Sequence, residues 1–89
     1  KIVQYAEQIV DMHFNHAEQQ KISRLSGAKQ QKRIAVLSNK ISRDIRSYIK
    51  DENLGIYGKA KLLKAVQSKL EANGLAMDSV TNIVNRLLH

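Results

Sequence analysis

The chain contains no cysteine and no proline, and only 4 glycines in 89 residues. Without cysteine there is no disulfide framework, no thiolate metal site and no thiol nucleophile. Without proline, and with so little glycine, the turn chemistry of an all-β fold is missing. Aromatic residues are scarce: Tyr5, Phe14, Tyr48 and Tyr57 are the whole set. That leaves few platforms on which the bases of a single strand of nucleic acid could stack. No apolar run approaches the ~20 residues of a membrane span. Residues 1–14 include Glu7 and Asp11 and no apolar leader core, so no signal peptide is read there. The first residue is Lys1 rather than Met, which leads us to expect further residues upstream. The 8 acidic residues are scattered and form no Ser/His/Asp set or carboxylate pair, so neither catalysis nor a cofactor is expected.

What is present is an ordinary globular mixture, 43% hydrophobic and 26% charged. The length suits one domain with a thin core, since a chain this short buries only about 60% of its unfolded surface. The charge is uneven. Lys1 against Glu7, Asp11 and Glu18 leaves residues 1–20 at −2, whereas residues 21–50 carry nine bases against Asp44 alone, a net of +8. Residues 51–89 are close to neutral, at +1. A segment as basic as the middle one suits phosphate backbones or anionic membrane surfaces.

Every long segment repeats with helical period. Over 2–17, Ile2, Tyr5, Ala6, Ile9, Met12 and His13 share a side, widened by Val3, Val10, Phe14 and Ala17. The pattern then fades, and Ser23, Ser26 and Gly27 read as a connection. A second helix is predicted over 28–50, with Ile34, Leu37, Ile41, Ile45 and Tyr48 within about 80° of one another. Asn53, Gly55 and Gly58 break it. A third is predicted over 58–73, burying Leu62, Leu63, Val66 and Leu70 and closing on a left-handed Gly74, with Leu75 as its apolar contact. Asp78 would cap a fourth over 78–88, where Val80, Ile83, Val84, Leu87 and Leu88 form the stripe. Four helices with short connections predict an all-α, antiparallel four-helix bundle.

The largest candidate surface lies opposite the apolar stripe of the second helix. Lys29, Lys32, Arg33, Lys40, Arg43, Arg46 and Lys50 form an almost purely basic face there, and it should be exposed to solvent. Nucleic acid, acidic lipid headgroups and an acidic protein are all compatible partners, as is a face that serves only solubility. Three smaller motifs weigh less. His13 and His16 have an i, i+3 spacing, yet a zinc site needs three or four ligands and no acid clearly joins them. Gly55-Ile56-Tyr57-Gly58-Lys59-Ala60 has its glycines too close together for a phosphate loop and lacks the Ser/Thr that holds magnesium. It also matches the GxxG of KH domains, but those domains need strands that this chain lacks. Residues 66–86 resemble a helix-turn-helix unit, with Ser79, Thr81, Asn82, Asn85 and Arg86 as base-reading types; Leu70 is larger than such motifs usually allow.

Two stretches carry a family resemblance. Ala6-Glu7-Gln8-Ile9-Val10-Asp11-Met12-His13-Phe14-Asn15 resembles the first helix of the immunity proteins of pediocin-like (class IIa) bacteriocins, enterocin A type. Asn73-Gly74-Leu75-Ala76-Met77-Asp78 through Ile83-Val84-Asn85-Arg86-Leu87 is similar to their passage from third to fourth helix. Those proteins usually carry a flexible tail beyond the fourth helix, where this chain stops at His89. The resemblance implies a cytosolic antiparallel four-helix bundle. It also implies a role in protecting the producing cell at the inner membrane face, with the bacteriocin's receptor, a sugar-transporting permease, as partner. Specificity would then fall on residues 59–89, with Lys69, Asn82, Asn85 and Arg86 exposed. Gly58-Lys59-Ala60-Lys61 through Gly74 and Asp78 also looks like the soluble tail of LL-H-type phage holins, over the last third of the chain. A basic nucleic-acid-binding protein is the alternative from another class.

Overall fold

The computed structural model describes residues 1–88. Five helices follow one another: α1 (Ile2–His13), α2 (His16–Arg24), α3 (Gly27–Asp51), α4 (Ile56–Ala72) and α5 (Met77–Leu88). The described residues contain no strand. The fold is therefore all-α, but the predicted count of four gives way to five.

The extra helix comes from a break inside the predicted first one. The backbone leaves the helical region at Phe14 (φ −137°, ψ 66°), and Asn15 starts α2 by accepting the Glu18 N–H on its side chain at 2.9 Å. The apolar stripe conceals this break because Phe14 is itself buried at the joint. A side chain far along the chain completes the joint: Asn73 Nδ2 donates to the freed Phe14 carbonyl at 2.9 Å and to Asp11 Oδ1 at 3.0 Å. The stretch from Glu18 to Arg24 was expected to belong to a connection, because the apolar pattern fails after Ala17. It is helical, and it buries only Ile22.

The other boundaries follow from local signals. Residue 74 takes φ +95°, the Gly74 N–H reaches the Glu71 carbonyl, and the Leu75 N–H reaches that of Leu70, both at 3.0 Å. This is the Schellman arrangement, with Leu70 and Leu75 both buried beneath it. α3 ends the same way with an asparagine: Asn53 has φ +50°, its N–H reaches Lys50 and that of Leu54 reaches Ile49. α4 begins two residues earlier than predicted, at Ile56, with Gly55 at the N-cap. Asp78 lies inside the first turn of α5, where its charge still favours the helix N-terminus.

Four helices enclose the core in the order α1–α4–α5–α3, and α2 packs chiefly on α3. Consecutive α3 and α4 are diagonal across this ring. Tyr5 stacks on Tyr48 at 3.8 Å, and His13 with Met12 lies beside Val36, Leu37 and Lys40, so α1 and α3 run in opposite directions. Val3 and Glu7 lie beside Lys61 and Lys64, while Asp11 meets Lys69 and Asn73, so α1 and α4 run the same way. Gln31 lies beside Ser79, and Ser38 beside Arg86, so α3 and α5 are also parallel. Two of the four neighbouring pairs thus run together, because the Glu52–Gly55 link crosses the ring instead of turning back beside α3. The core joins all five helices, with Val10, Phe14, Ile22, Ile41, Ile45, Leu62, Leu70 and Ile83 among its members.

Candidate functional site

α3 has a wide polar face because its apolar positions fall on a single side. Lys29, Lys32, Arg33, Lys40, Arg43, Arg46 and Lys50 are all exposed on that face. Asp44, the lone acid of residues 21–50, is held against α1. Its Oδ2 lies 2.7 Å from His13 Nε2, and its backbone carbonyl accepts from the Tyr5 hydroxyl at 3.1 Å. Burial, followed by the charge of Asp44, raises the Tyr5 hydroxyl above its ordinary pKa.

The packing of α3 divides the face into two edges. On the edge toward α1 and α2, Arg33 makes a two-pronged pair with Glu18, Nε to Oε2 and Nη2 to Oε1, each at 2.8 Å. These hydrogen bonds hold the Glu18 carboxyl below the usual glutamate range, outweighing the opposite effect of burial, and they raise Arg33. Lys40 shares this groove with Glu18, Met12 and His13. The edge toward α5 has a different character. Arg43 and Arg46 meet Arg86 there, around a cleft of about 370 Å³ that Asn39 and Ser42 complete. Arg46 Nη2 donates to the Arg86 carbonyl at 2.7 Å, and Arg86 Nη1 donates to Asn39 Oδ1 and, at 3.5 Å, to Ser38 Oγ. Among the described residues no carboxylate lines this cleft.

The four residues that the resemblance assigns to specificity do not share one surface. Lys69 was expected to be exposed; it is half-buried between α4 and α1, 3.6 Å from Asp11. It turns there because α4 packs its Lys69 side on the parallel α1. Asn82 and Arg86 lie along the groove between α5 and α3, and Asn85 is exposed beyond it. Ser79 joins Asn82 and Arg86 in that groove, so much of the base-reading set of the helix-turn-helix pattern faces α3.

His13 and His16 lie on either side of the α1–α2 break, where the i, i+3 spacing no longer describes one helical face. His13 goes to Asp44, whereas His16 Nε2 is 3.1 Å from Gln20 Nε2. No cluster of three or more potential metal ligands occurs among the described residues. Gly55–Ala60 forms the start of α4, and the Leu54 side chain lies over Gly58, 3.3 Å from where a Cβ would stand.

Sequence reasoning missed Asn39, Ser38 and Ser42, the polar residues of α3 that face Arg86. Small polar side chains at Ser38 and Ser42, one turn apart beside the apolar stripe, are the signal that could have marked this edge. No protein-family model matches the chain, and no curated protein or solved structure does.

Proposed function

We propose that this protein is a non-enzymatic binding module that works through the basic face of α3, as an immunity protein at the inner face of the membrane. Its partner would be a bacteriocin bound to its receptor, a sugar-transporting permease. The observation that carries the reading is the exposure of all seven bases of residues 29–50 on one helix, with the lone acid of the segment turned to α1. An anionic inner leaflet attracts such a surface by about 1 kcal/mol for each Lys or Arg brought near it. Attachment would be peripheral, since no helix among the described residues is long and apolar enough to cross a membrane. Asn82 and Arg86 on α5 adjoin the α5-side edge of the face, with Asn85 exposed beyond them, so partner recognition and surface attraction would share one side of a cytoplasmic protein. In this reading the ring of α1, α3, α4 and α5 is the bundle, and α2 is an added arm.

One observation favours a second reading, nucleic-acid binding. From Lys29 to Lys50 the basic stripe is about 32 Å long at 1.5 Å per residue, close to the ~34 Å of one duplex turn. The two readings separate in one experiment with two arms. The chain is expressed in a bacteriocin-sensitive strain and survival is measured, and duplex DNA is titrated at near-physiological salt. The expected result is protection, lost when residues 59–89 are exchanged for those of a protein with another specificity, together with only salt-labile DNA adsorption. DNA binding tighter than the ~10⁻⁶ M limit of non-specific association at such salt, without protection, would replace the first reading with the second.

A further inference from the structure

From the cleft between α3 and α5 we infer a binding site for a phosphoryl group, held by Arg43, Arg46, Arg86 and Ser42. Three guanidinium groups converge on it, and an exposed cluster of like charges is stable only because water screens it. Among the described residues the ion pairs are His13–Asp44, Arg33–Glu18 and Lys69–Asp11. None neutralises the cleft, although the other edge of the same face has its acid in Glu18. Arg43 makes no side-chain hydrogen bond among the described residues, and Arg46 uses one donor on the Arg86 carbonyl. Each guanidinium carries five donors, so most remain free.

The second observation is independent of charge. Ser42 lines the cleft, is only 6% exposed, and its Oγ is buried with no hydrogen-bond partner. Buried hydroxyls are nearly always paired, and an unpaired one is costly. A helical serine commonly satisfies itself on the carbonyl four residues back, and Ser42 does not. A ligand's acceptor oxygen would satisfy it once the side chain turns its Oγ into the cleft that Ser42 lines. The donor set exceeds what a carboxylate takes, since its two oxygens offer about four acceptor sites and one bidentate arginine already fills two. Three arginines and a hydroxyl match a group with three or four free oxygens and up to two negative charges, which is a phosphate monoester or inorganic phosphate. Asn39 supports the site by holding Arg86 in place. The inference does not depend on the immunity reading, because phosphate can bind here whether or not the protein protects a cell.

The test titrates inorganic phosphate at constant ionic strength, followed by backbone amide NMR shifts. Saturable shifts confined to residues 38–46 and the second half of α5 are expected. Arg43→Gln, which breaks no hydrogen bond within the described chain, should weaken binding about tenfold, the effect of one charge-assisted contact. Ser42→Ala should weaken it with the helical circular dichroism unchanged. Lys29→Gln removes the same charge from the far end of the face and should leave the affinity within about twofold. The source of the group is separated with vesicles of phosphatidylcholine with and without phosphatidic acid. Capture by the phosphatidic-acid vesicles that free phosphate displaces, and that Arg43→Gln abolishes, assigns the site to a lipid headgroup. Saturable phosphate binding without vesicle capture assigns it to a soluble phosphate. Absence of saturable shifts would overturn the proposal. So would equal losses from Arg43→Gln and Lys29→Gln, or duplex DNA binding without a phosphate site, since these describe a diffuse basic face.

Discussion

Replacing Ile41 with alanine tests the orientation of α3, on which the whole basic surface depends. Ile41 is 0% exposed, on the same side of the helix as Leu37 and Ile45, which are 4% and 0% exposed. The substitution removes three carbons, which at about 0.8 kcal/mol each is about 2.4 kcal/mol before any cavity is counted. Helices packed from several sides collapse only partly into the gap, so the full cost falls in the range of about 2–5 kcal/mol. A chain of this length has a total stability of about 4–13 kcal/mol, so one truncation removes a large share of it. In urea, with a slope of about 1 kcal/mol/M, the midpoint of the helical signal should fall by more than about 2 M. Val36→Ala, at a position 44% exposed, is the control and should change stability by no more than about 0.5 kcal/mol. A loss under about 1 kcal/mol for Ile41→Ala, with an unchanged slope, would refute the packing and with it the placement of the basic face.

Two further outcomes follow from the first two helices. Asn15→Ala removes the side-chain cap of α2 and should cost about 1 kcal/mol; because α2 packs chiefly on α3, the loss should appear as faster amide exchange over residues 18–24, and unchanged protection there would dismiss the cap. Glu18 is held below its ordinary pKa by Arg33, so its stabilising contribution is complete above the usual glutamate value of about 4.3 and is lost as pH falls through the lower folded value. Glu18→Gln should therefore flatten the acid side of the stability–pH curve in that interval, and an acid side identical to that of the unaltered chain would show that the pair does not form in solution.

Much of the helical content was legible because its signals are local. The stripe of Ile34, Leu37, Ile41, Ile45 and Tyr48 determined both the length of α3 and the exposure of its bases, since a helix that buries one side must present the other. Gly74 and Leu75 marked the end of α4, because the Schellman turn requires a left-handed residue followed by an apolar one. The α1–α2 break was only half legible. Asn15 and Glu18 have the spacing of an N-terminal cap, but the apolar run through Phe14 hides it, and the partner of the freed carbonyl is Asn73, 59 residues away. α2 buries a single apolar side chain and so has no stripe to read. Tertiary structure alone decided the order of helices around the core, the parallel pairing of α1 with α4 and of α3 with α5, and the turning of Lys69 toward α1. It also decided the cleft. Periodicity places Arg43 and Arg46 on an exposed face but says nothing of Arg86, which reaches them only because α5 packs beside α3 in parallel register. Periods and caps arise from bonds within a few residues; which faces meet depends on shape and charge complementarity between segments far apart in the chain.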